Sequence, residues 1–296
     1  SKTCLKPEDL SLLLPTIKTR RFNGTLQPKN SLMSTETRSQ SRRNERILMK
    51  KVSHKPTSAY VHIPFCTQIC YYCDFAKVYI KNQPVDDYIT ALLAEVAAEN
   101  ITALKTLYIG GGTPTALSSE QLDRLLSGLT QNLDLTELQE FTVEANPGDL
   151  SDEKIAVLKK NHVNRVSLGV QTFNDKLLKK IGRSHNAQDV FDNVAKLKAA
   201  GFDNITIDLI YALPGQTMAD VKQDVANILS LDLPHVALYS LILENHTIFM
   251  NKMRRGRLDL PSEDTDLEMY NYIIDSLQAA GYAQYEISNF GKTGYE

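Results

Sequence analysis

From position 58 onward the chain repeats one pattern of apolar and polar positions. Short runs rich in β-branched and aromatic residues alternate with longer stretches of helical period. The runs are SAYVHI (58–63), KTLYIG (105–110), EFTVEA (140–145), RVSLGV (165–170), ITIDLIYA (205–212) and HVALYSLIL (235–243). Helices are expected near 85–99, 118–132, 151–161, 174–180, 187–200, 218–231 and 263–280. A further strand-like run, YAQYEIS, occupies 282–288 and is followed only by NFGKTGYE. Six strand–helix alternations with near-continuously apolar strands predict a parallel sheet covered by helices.

Polar residues gather at the C-terminal ends of these strands. Cysteines follow the first, Gly110–Thr113 the second, Glu144 the third and Gln171 the fourth, while Asp208 lies within the fifth. In a barrel these ends converge on one mouth, whereas a doubly wound sheet gathers its site at one switch point. Six units fall short of a closed eightfold barrel. The expected fold is therefore α/β, a partial (β/α)6 TIM-like barrel with an open mouth.

Composition changes the picture mainly at the start of the chain. Residues 1–57 hold 13 Lys/Arg against 4 Asp/Glu, and the remainder holds 20 against 31. The stretch 31–46 is rich in Ser, Thr, Arg and Asn, which predicts disorder. A basic tail suits a nucleic-acid, acidic-membrane or targeting role. Met49 followed by Lys50 and Lys51 instead reads as an ordinary start, so 1–57 is expected to be a basic extension foreign to the fold, with Cys4 given no role. No apolar run reaches the roughly 18 residues of a membrane span, and no signal-peptide pattern opens the chain. A cytoplasmic protein that binds no nucleic acid is expected, with peripheral membrane contact left open.

The strongest chemical signal is CTQICYYC, which places Cys66, Cys70 and Cys73 within eight residues. Three thiolates at C-x3-C-x2-C spacing ligate three irons of a cubane cluster and leave the fourth iron open. Structural zinc wants four ligands. His62 sits inside a strand and is expected to point into or away from the barrel rather than toward the loop. Phe65, Tyr71, Tyr72 and Phe75 are expected to shield the loop from water. A second signal, GGGTPT at 110–115, follows a strand and precedes a helix. Its glycines allow a ligand to approach the backbone closely, but neither a Walker nor a Rossmann spacing is present.

With those two loops, the runs AYVHIPFCTQICYYCDF, LYIGGGTPT, EANPGDL, SLGVQTFND, IGRSH and IDLIYALPGQT resemble the radical S-adenosylmethionine superfamily. Within it they are similar to the HemW-type haem chaperones, relatives of oxygen-independent coproporphyrinogen III oxidase. The resemblance implies that Cys66, Cys70 and Cys73 hold a [4Fe–4S] cluster. It implies that Tyr60, Tyr72, Gly111, Gly112, Thr113, Glu144, Gln171, Arg183, Asp208 and Ile242 contact S-adenosylmethionine. The implied cargo is haem or a porphyrin, with haem-receiving proteins and an electron donor as partners. A segment and a small C-terminal domain that the resemblance places after residue 296 are expected to be missing.

Two functions share this machinery. One is haem binding and delivery; the other is oxidative decarboxylation of coproporphyrinogen III. The decarboxylase pattern carries a fourth cysteine two positions after the third, and here that position is Phe75. That departure favours the chaperone. His162, His185, His235 and His246 have no companion at ligand spacing, so the haem ligand is unassigned.

Overall fold

The computed structural model describes residues 17–18 and 56–296. The expected basic extension over 1–57, with Cys4, lies outside the described residues except for 17–18 and 56–57. Residues Ile17–Lys18 form a short strand, β1, antiparallel to β2 (Ser58–Ile63).

Six parallel strands form the sheet where the pattern placed them. They are β2, β5 (Thr106–Gly111), β6 (Glu140–Ala145), β7 (Arg165–Gln171), β8 (Asn204–Tyr211) and β9 (His235–Ser240). They stand side by side in chain order, each paired in parallel with the next. The final run does not make one strand. It folds as a hairpin of β10 (Ala283–Glu286) and β11 (Asn289–Gly291), and β11 pairs antiparallel with β9. The sheet therefore ends in β1 on one side and β10 on the other and stays open. A pair of two-residue strands, β3 (Phe65–Cys66) and β4 (Val78–Tyr79), closes the base of the cysteine loop.

Helices α1 (Val85–Ala98), α2 (Ser119–Asn132), α3 (Asp152–Lys160), α4 (Asp175–Ile181), α5 (Ala187–Ala199), α6 (Met218–Leu231) and α8 (Glu263–Ala279) match the expected segments to within a residue or two. Their starts were legible because the caps are local. Ser118, Asn186 and Thr217 each accept a bond from the third helical amide, and Gln121, Asp189 and Asp220 return one to the cap backbone. Such a box satisfies two amides that the helix leaves unpaired. Helix α7 (Ile248–Arg254) was not foreseen; the chain leaves β9 at Ser240, so the apolar residues 241–243 are not strand.

The strands are not apolar throughout. Ala59, Val61 and Ile63 of β2, Leu107 and Ile109 of β5, and Phe141 and Val143 of β6 are buried in the main apolar core with the helices. Alternate positions carry Tyr60, Tyr108, Thr142, Glu144, Arg165, Ser167, Thr206, Asp208 and His235. With period two these point to the opposite face. A closed eightfold barrel fills that interior with packed aliphatic layers. Here the inward positions carry polar and aromatic side chains around a cavity of about 620 Å³.

Candidate functional site

The cavity opens at the strand C-terminal ends. Among its lining residues are Cys66, Cys70, Cys73, Tyr72, Gly111, Gly112, Thr113, Glu144, Gln171, Arg183, Asp208 and Ile242. The structure thus brings together every residue that the resemblance assigned to the cluster or to S-adenosylmethionine except Tyr60. Tyr60 stands one layer back, its ring stacked on Tyr108 at 5.9 Å.

The cysteine loop is pinned from several sides. Thr67 Oγ1 donates to the Asp149 carboxylate at 2.9 Å, and Gln68 Nε2 donates to Gly182 O at 2.8 Å. Tyr71 N donates to Ile181 O, and Phe249 N donates to Tyr71 O, both at 2.9 Å. Lys77 Nζ donates to Cys73 O. His62 departs from the expectation that it points away from the loop. Its Nε2 reaches Ala76 O at 2.7 Å, at the far end of the loop from Cys66. A carbonyl only accepts, so Nε2 carries the hydrogen, and in the singly protonated ring Tyr60 OH donates to Nδ1 at 3.2 Å. His62 is therefore a strut of the loop rather than a fourth ligand.

The thiols fit an iron–sulfur group by their donor chemistry. Cys66, Cys70 and Cys73 are free and line one wall. Among the described residues no three His, Cys, Asp or Glu side chains are gathered as around a single metal ion. Burial pushes the Cys66 thiol up to about 11, and burial also raises Cys73. Loading a metal must displace those protons. Arg183 Nη1 lies 3.4 Å from Cys70 Sγ, while Nη2 donates to Asn146 Oδ1 at 2.6 Å and to Gly169 O. A fixed cation therefore stands at the loop.

The shielding expected of the aromatics is only partly present. Phe65 is fully buried and Tyr71 packs edge-on against Phe249. Phe75, however, is 66% exposed at the cavity rim, facing solvent instead of covering the loop. Ile242 on the same rim is 67% exposed.

The glycines do more than admit a ligand. A Cβ on Gly110 would lie 2.6 Å from the Glu144 carboxyl carbon, one on Gly111 2.5 Å from the His62 ring, and one on Gly112 2.7 Å from Phe65 O. The turn is glycine because a carboxylate, an imidazole and a neighbouring backbone all press on it. Glu144 Oε1 accepts from Tyr108 OH at 2.8 Å, and Oε2 accepts from Gly111 N at 3.0 Å. Burial pushes its carboxyl up to about 7, against those two bonds. Ser167 Oγ donates to Asp208 Oδ2 at 2.8 Å, and burial raises Asp208 to about 6. Tyr108, Asn146, Arg165, Ser167 and Tyr239 also line the cavity and were not singled out from the sequence. Period-two alternation groups Tyr108, Ser167 and Tyr239 with the cavity face of β5, β7 and β9, but it does not say which face is enclosed.

Two histidines that tempted a haem assignment are already engaged. His185 Nε2 is 3.1 Å from Val170 O, and His235 bonds Thr206 Oγ1 at 2.6 Å and Tyr285 OH at 2.8 Å. Burial lowers both to about 4, so both rings are uncharged near neutrality.

The model of the radical SAM superfamily matches residues 60–228, which is more than half of the chain. The chain belongs to the radical S-adenosylmethionine superfamily. Membership implies a [4Fe–4S] cluster and S-adenosylmethionine as its cofactors. The chain is 64% identical over 242 residues to the haem chaperone HemW of Lactococcus lactis, covering 82% of this chain and 64% of the relative. It is 50% identical over 244 residues to HemW of Bacillus subtilis, covering 81% and 64%. The chain therefore spans about 64% of the length of these relatives. Among solved structures, the coproporphyrinogen III oxidase HemN of Escherichia coli matches at 28% identity with a TM-score of 0.72, over 79% of this chain and 55% of that one. The superfamily fold accounts for the open α/β sheet with its site at the strand ends.

Proposed function

We propose that this chain forms the cofactor-binding core of a haem chaperone that binds haem and delivers it to target proteins. The observation that carries the reading is the 64% identity to a HemW chaperone, together with Phe75 at the position of the decarboxylase's fourth cysteine. Cys66, Cys70 and Cys73 would hold the [4Fe–4S] cluster. The cluster, once bound, supplies one-electron chemistry toward S-adenosylmethionine.

The chain's own residues do the holding. Gly111 and Gly112 keep backbone groups bare at the mouth. Arg183, a planar fork already tied to Asn146 and Gly169, offers a cation to a carboxylate. Glu144 and Asp208 accept from ammonium or hydroxyl groups, each held by a neighbour's bond. Gln171 and Thr113 supply neutral polar contacts on the same wall. Among the described residues no helix is long and apolar enough to cross a membrane. A cytoplasmic setting, haem-receiving partners and an electron donor complete the proposal. The exposed apolar rim of Phe75, Ile242 and Ile69 supports a flat, largely apolar cargo.

The test is an anaerobic haem titration of the reconstituted protein beside a coproporphyrinogen III assay. Haem binding without decarboxylated product is expected. Product formation would replace this reading with the oxidase, which the structural match to HemN favours. Reconstitution should load about four irons, and Ala at Cys66, Cys70 or Cys73 should abolish the cluster's absorption near ~400 nm. Survival of that band in all three variants would sink the cluster assignment.

A further inference from the structure

Gln171 ends β7 in a backbone conformation that side-chain-bearing residues avoid. Its φ is +71°, and Thr172 N donates back to Val170 O at 3.0 Å. A three-residue turn closed by such a bond around a positive φ is the rare, strained γ-turn. It coincides with a slip in register between β7 and β8 at Gly169 and Gln171. Gln171 keeps the parity of Arg165, Ser167 and Gly169 across the slip and lines the cavity with them, its Nε2 lying 3.0 Å from where a Cβ on Gly169 would stand.

Strain of this kind persists only where the surroundings over-determine it. The restraint comes from α6, outside the cavity. The Asp224 side chain is buried, and its two oxygens are spent on the residues just after Gln171. Oδ2 accepts from Thr172 Oγ1 at 2.8 Å, and Oδ1 accepts from Phe173 N at 2.7 Å. Gln216 Nε2 stands 3.5 Å from Oδ2, while Gln216 Oε1 accepts from Leu213 N at 3.0 Å. One turn earlier on α6, Asp220 Oδ1 accepts from Asn174 Nδ2 at 2.8 Å. Two sequence runs, QTFN at 171–174 and LPGQT at 213–217, thus meet on one helix face. Only Gln171 among those residues touches the cavity.

We infer that Asp224 is a positioning residue for the cofactor cleft: it clamps Thr172 and Phe173 from behind and so holds the strained turn that aims Gln171 at S-adenosylmethionine. The inference rests on the proposed role of Gln171 as a cofactor contact. A carboxylate is suited to the task because it accepts only, and both of its principal partners donate. An amide that keeps its oxygen on the Phe173 N–H turns its NH2 toward Gln216 Nε2, itself a donor, and toward a Thr172 hydroxyl that already accepts from Asn174 N at 3.1 Å.

The test is a double-mutant cycle on the full, reconstituted chain, read as S-adenosylmethionine affinity by anaerobic calorimetry. Melting temperature and hydrogen exchange of the Phe173 amide are followed in parallel. Q171A and D224N should each weaken binding about tenfold, the scale of one lost buried hydrogen bond. In the Q171A background D224N should add less than about twofold, because it acts through the missing side chain. Phe173 exchange should accelerate in D224N and stay slow in Q171A. If D224N folds poorly, T172V takes its place in the same cycle, with T172S expected to recover most of the affinity. A D224N penalty that is undiminished without Gln171 would overturn the clamp and reduce Asp224 to a structural residue. So would unchanged affinity in D224N and T172V while Q171A weakens binding. Unchanged affinity in Q171A itself identifies the assignment of Gln171 as the failed step and takes the clamp down with it.

Discussion

Glu144 closes over Gly110: the carboxyl carbon lies 2.6 Å from where a Cβ on that glycine would stand, and its oxygens bond Tyr108 OH and Gly111 N. Gly110 has no positive φ, so its backbone tolerates alanine, and the obstacle is the end of one side chain. G110A should therefore fold, while Glu144 swings away and loses both bonds. S-adenosylmethionine affinity is expected to fall about tenfold or more with a small change in melting temperature. G112A meets Phe65 O and Pro64 backbone, which cannot move aside. It should cost stability first, visible as a large drop in melting temperature. Equal effects of the two variants on both readouts would refute this division of labour.

The strut formed by His62 gives a second separation. Its bond to Ala76 O fixes the end of the cysteine loop, while Tyr88 OH holds the His62 carbonyl at 2.8 Å. H62A should leave the sheet intact, because β2 pairs through its backbone. The loop end should loosen by about the 1 kcal/mol of a net hydrogen bond. Hydrogen exchange should rise across 66–80, and iron retention after gel filtration should fall in H62A. Retention equal to the parent protein would show that the strut is dispensable.

Helix starts were the most legible part of the fold, because Ser118, Asn186 and Thr217 announce them through neighbours three residues away. The six-strand order was legible too, once the polar residues at the strand ends were added to the alternation. Long-range consequences were not. Nothing in HVALYSLIL marks Ser240 as the point where the strand stops and the chain turns toward α7. The run at 282–288 reads as one strand because the turn between β10 and β11 lacks glycine or proline. The cysteines were found through their spacing and Glu144 through its place at a strand end, Arg183 only through motif resemblance, while Tyr108 and Ser167 were missed. Their role depends on the sheet curving around a polar interior, and a strand's period does not reveal which face will be enclosed.

Burial of carboxyls along this cavity has a sign that can be measured. Glu144 is pushed up to about 7 and Asp208 to about 6, from ordinary values of 4.5 and 3.8. Between those limits the folded chain binds protons that the unfolded chain releases. Their contribution to stability is full below about pH 4 and is lost as pH rises through 6 and then 7. At about 1.4 kcal/mol per pKa unit, Glu144 alone accounts for on the order of 3 kcal/mol across that window. His185 and His235, lowered to about 4, act in the opposite direction below pH 6.5, so the quantity to read is the difference between the parent and E144Q. In urea unfolding of the metal-free proteins from pH 4.5 to 8, the stability of the parent relative to the non-titrating E144Q should fall as pH rises, and a difference independent of pH would contradict the assignment.

The strained turn at Gln171 predicts an opposition between stability and binding. Glycine adopts positive φ without the Cβ penalty that Gln171 bears, so Q171G relieves the turn while deleting the side chain on the cavity wall. Added backbone freedom in the unfolded chain offsets part of that relief, by about 0.5–1 kcal/mol. The net expectation is a Q171G protein that melts at or above the parent temperature yet binds S-adenosylmethionine more weakly. Q171A keeps the Cβ penalty and loses the side chain, so it should bind as weakly as Q171G and melt below it. Measured side by side, the two variants separate strain from contact. A Q171G protein that melts below Q171A would mean that the turn is not strained, and with it the need for Asp224 to hold it would vanish.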